Sequence, residues 1–394
     1  MPFEPRDLAA ATSFRPPTLT PTWTRRGCAG WSRRPTNMVA IHSAARRVSD
    51  RLEPWLSEAL APVPTPSGVT SRELVGQAIE LRAPARIPYS FVRPLGSDFF
   101  ELAELERHLD SESAPALGST YVDAWHVRYE ASPGLFDRVL EHPLESSSSL
   151  ASYRFPAMCE LLDMQRLLPF AAEARRAGKH VVAADPVLVF ERVRSLMGFE
   201  SMLLGPRRDR SAFRSLLDSL TELTLESVAS FGRCGYVDSF MTWQDFATQS
   251  GPMLRGEEFR TIYAPGLRRV AQAAHDHGMY FILHCCGQIE ELIPELIEIG
   301  IDVLQLDQAR LIGHKTLRER FGGEICFWNT VDTLWSSRGG RTDREIENEV
   351  REMRTVFSDL PGGFMARHYP QPDALDLPER FHEISREAFL HRES

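Results

Sequence analysis

The sequence predicts an α/β chain folded as a distorted (β/α)8 TIM barrel with an N-terminal helical extension. Three observations lead there. Seven short apolar runs (Ile87–Val92, His180–Ala184, Tyr236–Met241, Met279–Cys285, Asp302–Leu306, Ile325–Trp328 and Gly363–Ala366) have the length of buried strands and alternate with amphipathic helical stretches, the pattern of a parallel sheet. The last five strand-helix units are of regular length. No Gly-x-Gly-x-x-Gly turn or phosphate loop follows any run, which disfavours an open nucleotide-binding sheet.

Taken in order, residues 1–37 are rich in Pro, Thr and Arg, with Glu4 and Asp7 as the only acids. Such a segment buries little, so disorder is expected, and a true translation start at Met38 is an equal alternative to a targeting segment. Residues 38–69 form a helical extension and linker: Ala44–Leu60 has helical spacing, and Pro64–Gly68 separates it from Thr70-Ser-Arg-Glu73, a capping box ahead of Leu74–Leu81. Both helices are expected over the entrance of the barrel, which occupies 70–394. The eighth strand is not evident; Val127–Glu130 fits a hairpin between barrel elements. Gln288–Ile299 reads as the helix after the Met279 strand.

Composition narrows the function. The 394 residues are 43% hydrophobic and 25% charged with a net charge of −9, which suits a folded chain acting on a small molecule and argues against a nucleic-acid surface. Six scattered cysteines are too few for a disulfide scaffold and point to a reducing cytoplasm. No apolar stretch approaches the roughly 20 residues of a membrane span. A homo-oligomer is compatible with this composition, which fixes no oligomeric state.

Chemistry concentrates at His284-Cys-Cys-Gly287, the end of the Met279 run. Side chains alternate along a strand, so His284 and Cys286 share one face and Cys285 takes the other, where a small buried thiol is expected. Imidazole and thiolate side by side begin a soft-metal site, usually zinc. At least one more ligand must come from elsewhere in the chain.

Six segments, taken in order, resemble the uroporphyrinogen decarboxylase superfamily: Glu80-Leu-Arg-Ala-Pro-Ala-Arg-Ile-Pro88, Asp123-Ala-Trp-His-Val127, Glu141-His-Pro-Leu144, Tyr153-Arg-Phe-Pro156, His284-Cys-Cys-Gly-Gln-Ile-Glu-Glu-Leu-Ile-Pro294 and Glu298-Ile-Gly-Ile-Asp-Val-Leu304. The superfamily is built on a (β/α)8 barrel and includes methylcobamide:coenzyme M methyltransferases beside the heme-pathway decarboxylase. The decarboxylase's Arg-Gln-Ala-Gly-Arg-Tyr clamp is replaced here by Tyr89-Ser-Phe-Val-Arg-Pro-Leu-Gly-Ser97. Arg93 alone would leave most of a tetrapyrrole's carboxylates unpaired, so uroporphyrinogen is disfavoured. Asp123 still matches that branch's central aspartate.

The methyltransferase branch binds zinc through His-x-Cys and a distant Cys on a late strand. His284 and Cys286 match the first two, whereas the late strand reads Pro361-Gly-Gly-Phe-Met-Ala-Arg-His368 and has no cysteine. His368 is open to three readings: substrate contact, third metal ligand, or a hydrogen-bonded structural histidine. Asp307 is the other candidate third ligand. Cys326, early on its strand, is expected in the core. Polar residues at predicted strand ends complete the candidates: Asp185, Trp243, Gln244, Asp245, Gln249, Gln305, Asp307, Gln308, Asn329, Asp332 and Arg367. The alternative for each is a helix cap or a loop turn. Asp245 and Asp307 are the preferred pair for proton transfer or for orienting a ligand, with Asp123 as a third catalytic candidate.

Three function classes follow in order: a zinc-dependent methyl or alkyl transferase acting on a thiol, a decarboxylase or lyase on a smaller carboxylate, and a non-catalytic ligand-binding barrel. The chain lacks a corrinoid-binding Asp-x-His-x-x-Gly segment, so a methylcobamide donor would arrive on a separate protein.

Overall fold

Eight parallel strands wrap into a barrel in the computed structural model, which describes residues 52–66, 68–110, 115–133, 137–144 and 147–390. They are β1 (Tyr89–Ser90), β2 (Phe99–Glu101), β3 (His180–Ala184), β4 (Ser239–Trp243), β5 (Tyr280–His284), β6 (Val303–Leu306), β7 (Cys326–Thr330) and β8 (Phe364–Arg367). Their order is β1-β8-β7-β6-β5-β4-β3-β2, and every ladder is parallel. This is the (β/α)8 arrangement, and all seven strands read from the sequence recur within it. The described residues belong to one unit, Asn37–Ser394. The expectation for residues 1–37 and the start of the helix at Ala44 fall outside the described residues, whereas 52–60 is helical.

The barrel is distorted at its seam. No helix separates β1 from β2: the chain turns back beside β1, with Phe91 N–H donating to Gly96 O (3.1 Å) and Asp98 N–H to Tyr89 O (2.8 Å). An antiparallel bridge joins Ser90 to Ser97, so the chain must reverse at Asp98 to enter β2 in the common direction. Asp98 is fully buried and accepts from Tyr89 N–H (2.9 Å), Ser71 Oγ (2.6 Å) and both Arg86 amino groups (2.7 Å each). Those charge-assisted bonds supply partners for a carboxylate that would otherwise be costly to bury.

Thr70 caps the helix Ser71–Ile79 through the expected box with Glu73. Its apolar face does not lie over the entrance. Val75, Ala78 and Ile79 instead plug the opposite, N-terminal end, packing with Val182, Met241, Ile282, Val303, Trp328 and Met365 inside the barrel. Each fully buried aliphatic side chain there contributes about 2 kcal/mol. Trp328 stacks on Phe99 with ring centroids 4.4 Å apart. The interior is therefore filled, and chemistry is left to the C-terminal mouth.

Arg128–Glu130 lies in a three-stranded antiparallel sheet with Thr120–Val122 and Arg138–Glu141, the hairpin region expected for Val127–Glu130. The helix read over Gln288–Ile299 is shorter: a 3-10 turn at Glu290–Leu292 leads into Ile293–Ile299. No helix among the described residues is long and apolar enough to cross a membrane.

Candidate metal centre

Register decides which side chains meet at the mouth. His284 is paired across the ladders with Trp243 and Gln305, and Gln305 with Trp328, so these side chains form one inward layer. Two residues further along each chain come Asp245, Cys286 and Asp307, which continue on the same side.

Asp245, His284 and Cys286 form a cluster whose ligand atoms all lie within 4.8 Å of one another. His284 Nε2 is 3.4 Å from Cys286 Sγ and 3.5 Å from Asp245 Oδ1. A tetrahedral zinc with bonds of about 2.3 Å to sulfur and about 2.0–2.1 Å to nitrogen and oxygen sets donor separations of roughly 3.4–3.6 Å. Both separations from Nε2 match that geometry, and the third, from sulfur to the carboxylate, stays within 4.8 Å. His284 keeps only 7% of its side chain exposed but Asp245 keeps 37%, so the cluster meets solvent on the Asp245 side.

The histidine is oriented from behind. His284 Nδ1 lies 2.5 Å from Gln305 Oε1, and Gln305 Nε2 donates to Asp307 Oδ1 at 2.7 Å. A carboxylate can only accept, so it takes the amide NH2 and turns the amide oxygen toward the ring. Nδ1 then carries the hydrogen and Nε2 presents its lone pair to the cluster, the arrangement metal-binding histidines use. Asp307 is also touched by the Thr330 hydroxyl (3.3 Å).

Charge around the cluster favours a cation. Burial disfavours imidazolium at His284, yet Cys286, Asp245 and Asp307 together hold its pKa well above the ordinary value. Burial pushes the Cys286 thiol up, against the pull of His284. Burial also works against ionised Asp245, which its bonds with His284 and the Cys286 N–H (2.9 Å) hold below the ordinary value. Gly287 shapes the wall beside it. Its φ of +88° and the 2.5 Å that would separate a Cβ from Thr248 O leave room for no side chain, so the hairpin Ala247–Thr248/Gly251–Pro252 closes on the loop after Cys286.

Several sequence candidates lie elsewhere. His368 is not brought to the cluster: Val92 N–H donates to its Nδ1 (3.4 Å), its Nε2 pairs with Ser385 Oγ (2.9 Å), and its ring packs on Phe91 and His382. It is buried against the C-terminal helix Glu379–Leu390, with both ring nitrogens hydrogen-bonded. Asp185 and Asn329 are one residue out of phase with the inward layer, and so is Gln244; all three point toward the helices. Asp332 caps the helix Thr333–Ser336. Gln249 is exposed at the hairpin tip, and Gln308 is half-buried after β6. Asp123 accepts from Trp125 N–H and Val127 N–H (2.9 Å each) and pairs with Arg192 (3.2 Å), all within the antiparallel sheet and its support. Arg93 binds Glu104 (2.8 Å) and Glu58 (3.6 Å) over Trp55, tying down the N-terminal helix.

Arg367 does face inward, lying over Trp328 and donating to Glu101 Oε2 at 2.7 Å. Glu101 and Tyr369 are mouth residues the sequence reading missed. Glu101 went unseen with its strand. Tyr369, two residues past Arg367, has its phenol pushed up to about 12 by burial and by the nearby charges of Asp307 and Cys286. Its phase relative to Arg367 was the available signal. Cys285 and Cys326 are buried, in the outer and inner core respectively.

Comparison with known proteins adds a family to this geometry. A curated relative, the methylated-thiol–coenzyme M methyltransferase of Methanosarcina mazei, is 22% identical over 179 residues, 45% of this chain and 46% of that protein. The match therefore spans less than half of the relative's length. A solved structure, a methyltransferase from Methanosarcina mazei, superposes with a TM-score of 0.59 at 14% identity, covering 82% of this chain and 98% of that one, and shows a shared barrel fold. Residues 189–364 match the model for uroporphyrinogen decarboxylase (URO-D). The stretch carrying Asp245, His284, Cys286 and Asp307 is thus a URO-D family domain, the family its sequence motifs resemble.

Proposed function

We propose that the chain is a zinc-dependent methyl or alkyl transferase whose acceptor is a thiol. The observation that carries this reading is the cluster of Cys286 Sγ, His284 Nε2 and Asp245 Oδ1 at the barrel mouth, all within 4.8 Å of one another and with Nε2 3.4 and 3.5 Å from the other two. Zinc held there would supply Lewis acidity that lets a substrate thiol ligate as a thiolate at neutral pH. His284 presents Nε2 because Gln305 holds Nδ1–H, and Asp307 holds Gln305. Asp245, whose side chain is 37% exposed, would pass the thiol's proton to solvent. Trp243 and the hairpin beyond it wall the approach.

The M. mazei relative's name supports methyl transfer in particular. A methylcobamide on a separate corrinoid protein is the donor this reading favours, and a small thiol is the substrate. A reducing cytoplasm suits a site built on a free cysteine. The carboxy-lyase alternative draws less support, because Arg93 and Arg367 are both paired with glutamates.

The test is elemental analysis of protein purified without a metal-binding tag, followed by incubation with zinc. About one equivalent of zinc is expected, with methyl transfer from methylcobalamin to a simple thiol such as 2-mercaptoethanol. Less than about a tenth of an equivalent after incubation would overturn the reading.

A further inference from the structure

Beyond its metal donors, the barrel mouth holds further negative charge. Asp307 Oδ2 lies 4.0 Å from His284 Nδ1, on a side chain that is 9% exposed. Its Oδ1 takes the hydrogen bonds from Gln305 Nε2 (2.7 Å) and the Thr330 hydroxyl (3.3 Å). Oδ2 accepts none from the described residues and is not enclosed, so it is open to whatever occupies the mouth. Two half-buried rings share that space. Trp243 stands beside His284 in the inward layer, and Tyr369 lies close enough to Asp307 and Cys286 to feel both charges.

Among the described residues, the cations do not offset this charge. Arg367, the inward arginine, is committed to Glu101 Oε2 (2.7 Å) and to the face of Trp328 (4.3 Å to the centroid). Arg93, Arg194 and Arg310 each pair with a glutamate. Arg107, on the helix Leu102–Asp110, is exposed, where water and salt screen it. Of the chain's two lysines, Lys179 precedes β3 at the opposite end of the barrel, and Lys315 is exposed on the helix His314–Phe321.

Zinc in the cluster would not reverse the balance. The Cys286 thiolate and the Asp245 carboxylate cancel its two positive charges, and a substrate thiolate then adds a negative one, with the Asp307 carboxylate close by. A thiol bearing a second anionic group would be repelled there. One bearing a cation would meet Asp307 and the π faces of two rings.

We propose that the acceptor thiol carries a cationic tail, an ammonium group on a short linker, held by Asp307 Oδ2 and by the rings of Trp243 and Tyr369. This rests on the thiol-transferase reading and names the class of its substrate.

Cobalt(II) in place of zinc makes thiol ligation visible, because each thiolate that joins the ion adds sulfur-to-metal charge-transfer absorption. The full cobalt-loaded chain is titrated with thiocholine, whose quaternary nitrogen cannot ligate the metal, with 3,3-dimethylbutane-1-thiol, its uncharged isostere, and with 2-mercaptoethanesulfonate. The ammonium also acidifies its own thiol, so the deciding quantity is how thiocholine's advantage over the isostere changes when Asp307 loses its charge. Asp307→Asn, which keeps an oxygen for Gln305, should cut that advantage about tenfold, the scale of one charge pair near the protein surface, and should improve sulfonate binding. In the wild type, higher salt should weaken thiocholine and strengthen the sulfonate relative to the isostere, a readout that stands even if the variant fails to fold. An advantage that ignores Asp307→Asn, or ignores salt where the variant does not fold, overturns the proposal and leaves the thiol reading in place. Absorption that no thiol alters overturns both.

Discussion

Gln305 spans His284 and Asp307, its amide oxygen 2.5 Å from the imidazole Nδ1 and its amide nitrogen 2.7 Å from the carboxylate. Neither end can be exchanged without putting two acceptors or two donors face to face. Gln305→Leu should therefore free the ring to rotate and lower zinc affinity by about 10–100-fold, the usual loss when a ligand's outer partner is removed. Competition against a chelator of known affinity measures this. Unchanged affinity with an intact fold would show that the cluster does not depend on the relay.

The adjacent cysteines separate coordination from packing. Cys286 Sγ is in the cluster, whereas Cys285 is buried in the outer core, with burial raising its thiol well above the ordinary pKa. Cys286→Ser should cut zinc content and transfer activity together. Cys285→Ser should keep both and lose about 1–3 kcal/mol of stability by burying a hydroxyl among apolar groups. The reverse pattern in metal content would move the site to the other face of β5.

A second pair of variants distinguishes the donor that the geometry supplies from one the sequence offered. Asp245→Asn should weaken zinc binding while leaving the melting temperature nearly unchanged, since the residue is partly exposed. His368→Gln should leave zinc stoichiometry at one and lower stability by about 1–3 kcal/mol, because Val92 N–H and Ser385 Oγ lose a buried partner. Zinc loss in His368→Gln at unchanged stability would restore His368 as a ligand.

How much of this was legible depends on what a strand reveals of itself. β3 through β8 are apolar runs bounded by helices and show plainly, with bounds off by at most three residues. β2 is three residues, Phe99–Glu101, running into the helix Leu102–Asp110 with no turn residue between them, and its closure depends on Asp98 rather than on a ladder. Such a strand has no periodicity to detect. In the site, His284 and Cys286 follow from spacing alone, and Asp245 and Asp307 from the rule that chemistry sits past strand ends. The phase of each strand did not follow. Runs buried on both faces, such as His180–Ala184, carry no polar alternation to mark the inward side, so Asp185 and Asn329 stand among the strand-end candidates beside the preferred Asp245. His368, next to inward Arg367, differs from it by that same one-residue step.

At the other end of the barrel, His180 gives the fold a pH dependence that does not involve the metal cluster. It is buried, with Nε2 2.7 Å from Ser239 Oγ and Nδ1 without a partner. Burial lowers its pKa to about 4, with Asp238 opposing and Arg72 and Arg175 assisting. The unfolded chain takes up a proton near pH 6.5, whereas the native state does not until about pH 4. Between those values the unfolded state binds more protons, so stability falls as pH drops through this window and levels off below it. The loss from this one group is on the order of 3 kcal/mol. Glu106 acts in the opposite sense, since burial beside Asp110 pushes its pKa up to about 7 and the native state is favoured as that proton binds. The net profile mixes the two, but the difference between wild type and His180→Gln removes the Glu106 contribution. Urea unfolding at pH 7 and pH 4.5 should show the variant losing less stability on acidification than wild type, by about 2–3 kcal/mol. Equal losses in both proteins would mean that His180 is protonated in the native barrel and that its burial is compensated by Asp238.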